Sequence, residues 1–350
     1  MRLGRFVYTV WRAFEIKMTT LVKHTGLYLT AFATLALLAL GAAAAPPASS
    51  PVVEGKNGWL FFEPELRFLN FTCFWGEAAA KTARSPKPEN ADPIPAIVDF
   101  NNQLAAKGIR LFLVPVPPKA WNEAHTPDLP LEGRKADSLT QFYSRLSAEG
   151  VQVVDLRPDF KAREEAGEAM YCKTDSHWSG EGCVAASKAV AKALAAAGLP
   201  TRPASGLHTA WTEVHFRGDL LELKRAPANQ EERLKTRQVS DASNAALQPN
   251  AASSTLVLGD SHTLVFHDFL AERAGFTDQL AYETGVIPDW IGTRGSGANA
   301  VRISLLRRAT KDAGYLASKK AVVWCFAARE FTEADQGWQR LPLTAPSSSK

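Results

Sequence analysis

The chain is expected to fold as an α/β protein, a three-layer α/β/α sandwich around a mainly parallel sheet, preceded by one N-terminal transmembrane helix. Two observations carry the sandwich. Strand and helix signals alternate through most of the region beyond residue 50, the order that builds parallel sheets through helical crossovers. The strongest strand candidates, Ile109 to Val116, Thr255 to Leu258 and Ala321 to Phe326, are nearly all apolar instead of alternating, as strands covered by helices on both faces are. The chain has no internal repeat.

The first 25 residues carry Arg2, Arg5, Arg12, Lys17 and Lys23 and read as a cytoplasmic basic leader. Residues 26–45 hold no charge, and at 1.5 Å per residue they match a hydrocarbon core about 30 Å thick. This predicts a signal-anchor in a bacterial inner membrane with everything after Pro46 in the periplasm. The small residues Ala42 to Ala45 also resemble a cleavage site, which would release a periplasmic form. Residues 46–54 read as a linker, 55–335 as the main domain and 336–350 as a loose tail.

Within the domain, Gly58 to Phe62 reads as a short strand after an Asn57-Gly58 turn. A helix near Ile97 to Lys107 leads into the strand from Ile109. A second helix, Asp137 to Glu149, precedes a strand from Val151 to Leu156. Ser179 is expected to cap a helix from Gly180 to Ala197 that Gly198 stops. Pro203 to Ser254 reads as an irregular surface excursion. After the strand at Thr255 come a helix from Thr263 to Ala274, a strand near Ala281 to Ile287, a helix from Ala300 to Arg308 and the last buried strand.

The composition, 46% hydrophobic and 22% charged, suits a globular domain. The net charge of +4 owes much to the leader, and no basic block interleaved with aromatics marks a nucleic-acid groove. Cys73, Cys172, Cys183 and Cys325 would meet an oxidising compartment, where a disulfide can form; Cys325, inside an apolar strand, reads as a buried thiol. With no Cys-x-x-Cys pair, neither structural zinc nor a cofactor is expected.

Two segments carry chemistry. Asp175-Ser176-His177-Trp178 places a carboxylate and an imidazole on one side of an extended stretch, so Asp175 can orient His177. Gly259-Asp260-Ser261-His262 ends an apolar strand in a tight turn and presents Ser261 where open α/β sheets keep their sites. A serine needs an adjacent base to attack a carbonyl carbon, and a histidine held by a carboxylate supplies one. Either motif alone also fits an ordinary loop; together they predict Ser261 as nucleophile, His177 as base and Asp175 as its orienting acid. Asp260, a neighbour of the serine, is poorly placed for that last role. Trp178 is expected to pack beneath the loop. Candidate oxyanion or substrate-binding groups are the Ser261 backbone N–H, Arg294, Lys119 and His262; Arg294 and Lys119 also read as solvated loop residues.

Five segments in order, Gly55 to Phe61, Val114 to Lys119, Asp175 to Trp178 with Gly182, Gly218 to Leu220 and Gly259 to Ser261, resemble the alginate O-acetyltransferase AlgX/AlgJ family. The similarity spans about Val53 to Phe331. It implies an SGNH-hydrolase-like domain that transfers acetyl groups to an exported polysaccharide, with the family's catalytic roles on Asp175, His177 and Ser261. It also implies an acetyl donor relayed by an MBOAT-type membrane acyltransferase at the inner membrane. His262 departs from the Phe or Tyr often found there, and the stretch after Phe331 is short for the carbohydrate-binding domain of AlgX, so the polysaccharide stays open. A carbohydrate acetyl-esterase and a non-catalytic scaffold are the rival functions.

Overall fold

The computed structural model describes residues 50–343, apart from 123, 203–205 and 296. Nine strands lie among the described residues: β1 (Val52–Glu54), β2 (Leu60–Phe62), β3 (Arg110–Val116), β4 (Gln152–Val153), β5 (Leu207–Phe216), β6 (Glu232–Asp241), β7 (Thr255–Gly259), β8 (Asp289–Gly292) and β9 (Ala321–Ala327). The three apolar runs become the middle of a five-stranded sheet ordered β4-β3-β9-β7-β8, parallel at every pairing. All seven residues of β9 are buried, which is why that segment tolerates no alternation.

Side chains two apart in a strand share a face, and the core divides accordingly. Leu111, Leu113, Leu256, Leu258, Val322 and Trp324 pack under helices Pro93–Ala105, Ser138–Ala148 and Gly297–Lys311. Phe112, Val114, Val257, Val323 and Cys325 face helices Arg157–Glu165, Gly180–Ala196 and Phe276–Thr284. The helix starts follow their caps. Asp92 accepts from the Ile94 N–H at 3.0 Å, and Ser179 from the Gly182 N–H at 3.0 Å.

Several expectations are corrected. The expected membrane span at 26–45 lies outside the described residues, and no helix among the described residues is long and apolar enough to cross a membrane. The expected transmembrane helix, single-pass topology and inner-membrane location are corrected on that finding. The linker expected at 46–54 contains β1, which pairs antiparallel with β2. The excursion at 203–254 holds a regular antiparallel hairpin of two ten-residue strands, β5 and β6, with helix Asp219–Leu223 between them. The helix expected from Thr263 stops at Leu264, because Phe266, Leu270 and Arg273 adopt positive φ of 62°, 65° and 60°. The next helix runs from Phe276 to Thr284, through part of the segment expected as a strand, and β8 follows it.

Part of the expected tail is packed. Trp338 is 3% exposed, its ring stacks on Phe331 at 5.8 Å, and its indole N–H donates to the Glu330 and Phe331 carbonyls. Trp338→Ala is expected to destabilise the fold by about 3–5 kcal/mol. A denaturant midpoint unchanged from wild type would show instead that this end of the chain is loose.

Candidate active site

The two chemistry-bearing segments meet at the carboxyl edge of the sheet. β7 ends at Gly259, where a Cβ would lie 2.1 Å from Thr263 Cγ2 and 2.7 Å from the Cys325 carbonyl oxygen, so only glycine fits. Asp260 caps the short helix Ser261–Leu264. Its Oδ1 accepts from the His262 N–H at 2.9 Å and its Oδ2 from the Ala327 N–H at 2.8 Å. Ser261 is thereby fixed against both β7 and β9. Its own N–H opens the helix, where the helical pattern leaves donors free.

His177 arrives on a loop closed by an antiparallel bridge between Tyr171 and Trp178 and by the Cys172 N–H on the His177 carbonyl at 3.1 Å. The segment is a bend and not the extended stretch expected, yet Asp175 still reaches the imidazole. Asp175 Oδ1 accepts from the His177 N–H at 3.0 Å and lies 2.6 Å from Nδ1, while His177 Nε2 lies 2.7 Å from Ser261 Oγ. With Nδ1–H bound to the carboxylate, Nε2 is left to accept from the serine hydroxyl. The three side chains form one hydrogen-bonded relay, 1% exposed at Asp175, 6% at His177 and 8% at Ser261.

More distant residues complete the loop's support. The Asp219 N–H donates to Asp175 Oδ2 at 2.9 Å, and the Asp219 carboxylate accepts from Ser176, from its N–H at 2.7 Å and its hydroxyl at 2.5 Å. Glu232, at the start of β6, accepts from the Lys173 N–H at 2.5 Å and the Thr174 N–H at 2.7 Å. Lys119 Nζ donates to the carbonyls of Leu60, Lys173 and Asp175 at 2.6, 3.1 and 3.1 Å.

Burial works against charge on Asp175, His177, His262 and Asp219, and its balance with their partners sets the direction at each. It pushes the Asp175 carboxyl up, but the His177 charge and the donated hydrogen bonds hold it below the usual carboxylate range. It pushes His177 down, but Asp175 outweighs it and raises the imidazole above its ordinary value. At His262 burial wins over Asp260, and the imidazole is pushed down to about 4. Asp219 is raised by burial and by repulsion from Asp175.

A cleft of about 370 Å³ opens onto Ser261 and His177, with Phe269, Asp219, Arg294 and Arg329 in its walls. A second cavity, about 430 Å³ and lined by Trp121, Arg157 and Phe160 among others, contains none of the relay groups, so the first is the candidate site. Asp175, His177 and Asp219 bring ligand-type atoms within 4.8 Å of one another, and all three groups already serve the hydrogen bonds described.

Residues 52–299 match the family model described as SGNH hydrolase-like domain, acetyltransferase AlgX. The chain belongs to this family. It is 24% identical over 146 residues to the probable alginate O-acetylase AlgJ of Pseudomonas fluorescens, a match covering 41% of this chain and 33% of that relative, so it spans about a third of the relative's length. The O-acetyltransferase domain of Pseudomonas putida AlgJ superposes with a TM-score of 0.62 at 20% identity, over 85% of this chain and 95% of that one. Pseudomonas aeruginosa AlgX gives 0.57 at 17% identity, over 79% and 61%. At these identities the superpositions speak for the fold, and they agree with the family's SGNH-hydrolase-like α/β architecture.

Of the candidates from sequence, Ser261, His177 and Asp175 come together, and Asp260 engages His262 and Ala327 in place of His177. Arg294 reaches the cleft, its guanidinium 4.2 Å from the Phe269 ring centre. Lys119 is not on the rim: it is 3% exposed and holds backbone. His262 is 2% exposed with its ring 4.8 Å from that of His177, packed behind that imidazole. Trp178 packs against His262 at 5.4 Å, as expected. The four cysteines are free thiols.

Two cleft residues went unassigned in the sequence reading. Asp219 sat inside a family segment without a role. Arg329 follows the carboxyl end of β9, the position that signals a site in parallel sheets; its buried Nη1 has no hydrogen-bond partner among the described residues and stands 4.0 Å from Glu65.

Lys119→Met keeps the apolar stem and deletes the ammonium, leaving three carbonyls without their donor. It is expected to cost about 2–5 kcal/mol of stability and to speed amide exchange at residues 173–177. Unchanged exchange there would show that Lys119 does not hold the loop.

Proposed function

We propose that this protein is a serine-dependent O-acetyltransferase that moves acetyl groups onto hydroxyls of a polysaccharide through an acetyl-Ser261 intermediate. The observation that carries the reading is the continuous relay from Ser261 Oγ through His177 to Asp175 at the mouth of a cleft. Membership of the family and similarity to a probable alginate O-acetylase support the choice of acetyl as the transferred group.

Ser261 Oγ attacks the acetyl carbonyl carbon as its proton passes to His177 Nε2. The leaving group departs with that proton, and acetyl-Ser261 remains. An acceptor hydroxyl then attacks the ester, gives its proton to His177, and Ser261 Oγ recovers it as the sugar ester leaves. Asp175 holds the tautomer and stabilises the imidazolium in both halves. The Ser261 N–H, at the start of its helix, supplies one donor to the tetrahedral oxyanion, and Arg294 is the cleft cation best placed to approach an acceptor. An MBOAT-type acyltransferase as the supplier of acetyl groups belongs to the same proposal, on the strength of the family alone; loss of polysaccharide acetylation when that partner is deleted is the outcome it requires.

The deciding experiment incubates the protein with a small aryl acetate and candidate oligosaccharides and identifies the products by mass. Acetylated sugar supports the transferase; acetate with no acetylated sugar for any polymer tested makes the protein an esterase. Alanine at Ser261, His177 or Asp175 is expected to lower turnover by about 10²–10⁴-fold, with little further loss on combination. Full turnover in the His177 variant would end the mechanism.

The pH profile has a defined sign. Neutral His177 is the working base and its proton affinity is raised, so kcat/KM rises with pH through a midpoint above the ordinary imidazole value of about 6.5. A midpoint below that value contradicts the assignment of His177 as base.

A further inference from the structure

Asp219 makes three hydrogen bonds to the Asp175-Ser176-His177 segment, one to Asp175 and two to Ser176. It lies in the helix Asp219–Leu223 between the two hairpin strands, 42 residues beyond His177 in the chain, and lines the cleft beside Ser176 and His177. Its backbone N–H completes the solvation of Asp175 Oδ2, and its carboxylate accepts both donors of Ser176, the residue between the triad acid and base. The approach is possible only because Gly218 lacks a side chain: a Cβ there would sit 2.2 Å from the Thr174 carbonyl oxygen. A second carboxylate therefore stands within 4.8 Å of Asp175 and His177, in a setting where burial and Asp175 both oppose its charge.

We infer that Asp219 is a positioning residue of the triad, which holds the Asp175-Ser176-His177 bend closed and adds a second negative charge beside the imidazole. The first task follows from geometry. With the bend pinned at Ser176, the Asp175 carboxylate and the imidazole cannot rotate apart, so Nε2 stays aimed at Ser261. The second follows from Coulomb's law at short range in a poorly solvated site. A carboxylate there favours the imidazolium that forms when Ser261 or an acceptor hydroxyl is deprotonated, and both Asp175 and Asp219 act on His177 in that sense.

The other charges near this imidazole come from separate elements. Asp260 and His262 face it from the helix that carries Ser261, and Glu65 acts on it from the helix Glu63–Phe68. Lys119 reaches it through the Asp175 carbonyl, while Arg294 and Arg329 share the cleft. None of these changes when the Asp219 side chain alone is altered, so its share can be read separately.

Asp219→Asn keeps the backbone N–H on Asp175 and a carbonyl oxygen for the Ser176 N–H, and removes the charge. Titration of the free protein by NMR, following the imidazole signal that is lost in His177→Gln, is expected to show the His177 midpoint fall by about one pH unit. The acidic limb of kcat/KM on an aryl acetate moves down with it. Ser176→Ala, which retains the charge, keeps the midpoint and lowers kcat with little change in KM. Should the Asn variant fail to fold, Asp219→Ser carries the same titration. A midpoint that stays put or rises overturns the inference. The inference rests on the triad reading, yet the two fail differently: turnover that survives in Ser261→Ala removes the acetyl-serine mechanism, whereas the NMR titration judges Asp219 without any turnover.

Discussion

Keeping a carboxylate ionised out of water is the constraint on which this site is built. Asp175 is 1% exposed, and an uncompensated buried charge would cost several kcal/mol. It is tolerated because Oδ1 receives the His177 N–H and ring N–H while Oδ2 receives the Asp219 N–H. Each donor has requirements of its own. The Asp219 N–H comes within reach only if residue 218 is glycine, and the His177 N–H only if the 171–178 loop keeps its bend. That bend in turn draws on Glu232 from the hairpin and on Lys119 from the end of β3. Segments far apart in sequence thus serve one carboxylate.

The same local motif occurs twice, with opposite results. In Asp260-Ser261-His262, as in Asp175-Ser176-His177, the aspartate Oδ1 meets both the backbone N–H and Nδ1 of the histidine two residues on. The ring contact is 3.2 Å in the first and 2.6 Å in the second. Asp260 also spends Oδ2 on the Ala327 N–H, tying the turn to β9, and the fully buried His262 stays neutral. That neutrality matters: a charged ring 4.8 Å from His177 would oppose the imidazolium the reaction needs. One copy of the motif anchors the turn, and in the proposed mechanism the other supplies the base.

The sequence made the centre of this fold legible and its periphery opaque, for physical reasons. β3, β7 and β9 are apolar on both faces, a pattern that few other local structures share, and the relay residues lie in short segments beside them. The hairpin was hidden because β5 is largely exposed and β6 mixes exposed, half-buried and buried positions, with residues such as Glu213 opposite Lys235, and their pairing spans 35 residues between Leu207 and Asp241. The break after Leu264 was hidden because positive φ at Phe266, Leu270 and Arg273 is not written in those residue types. The segment is held instead by its own backbone bonds, the Phe266 N–H on the Phe269 carbonyl and the Ala274 N–H on the Phe266 carbonyl, both at 2.8 Å, and by the Val239 N–H of β6 on the Arg273 carbonyl at 2.7 Å. Lys119 was misplaced for the opposite reason: lysine signals solvent, and only a cluster of backbone carbonyls converging from β2 and the 171–178 loop makes its burial favourable.

The choice between transfer and hydrolysis lies outside the relay, because water and a sugar hydroxyl present the same oxygen to the same base. An acceptor prevails only if it is held at the acyl-serine long enough to raise its effective concentration above that of water. Within the cleft, the groups able to hold it are those the chemistry does not consume. Phe269 lies edge-on to His177 at 5.7 Å and carries the Arg294 guanidinium on its face at 4.2 Å, an arrangement that gives a flat cation and an apolar surface beside the base. Arg329 stands on the β9 side of the cleft, its buried Nη1 4.0 Å from the Glu65 carboxylate. The strand ends fix Ser261, the loop fixes His177, and selectivity is left to side chains that neither element needs for its own stability.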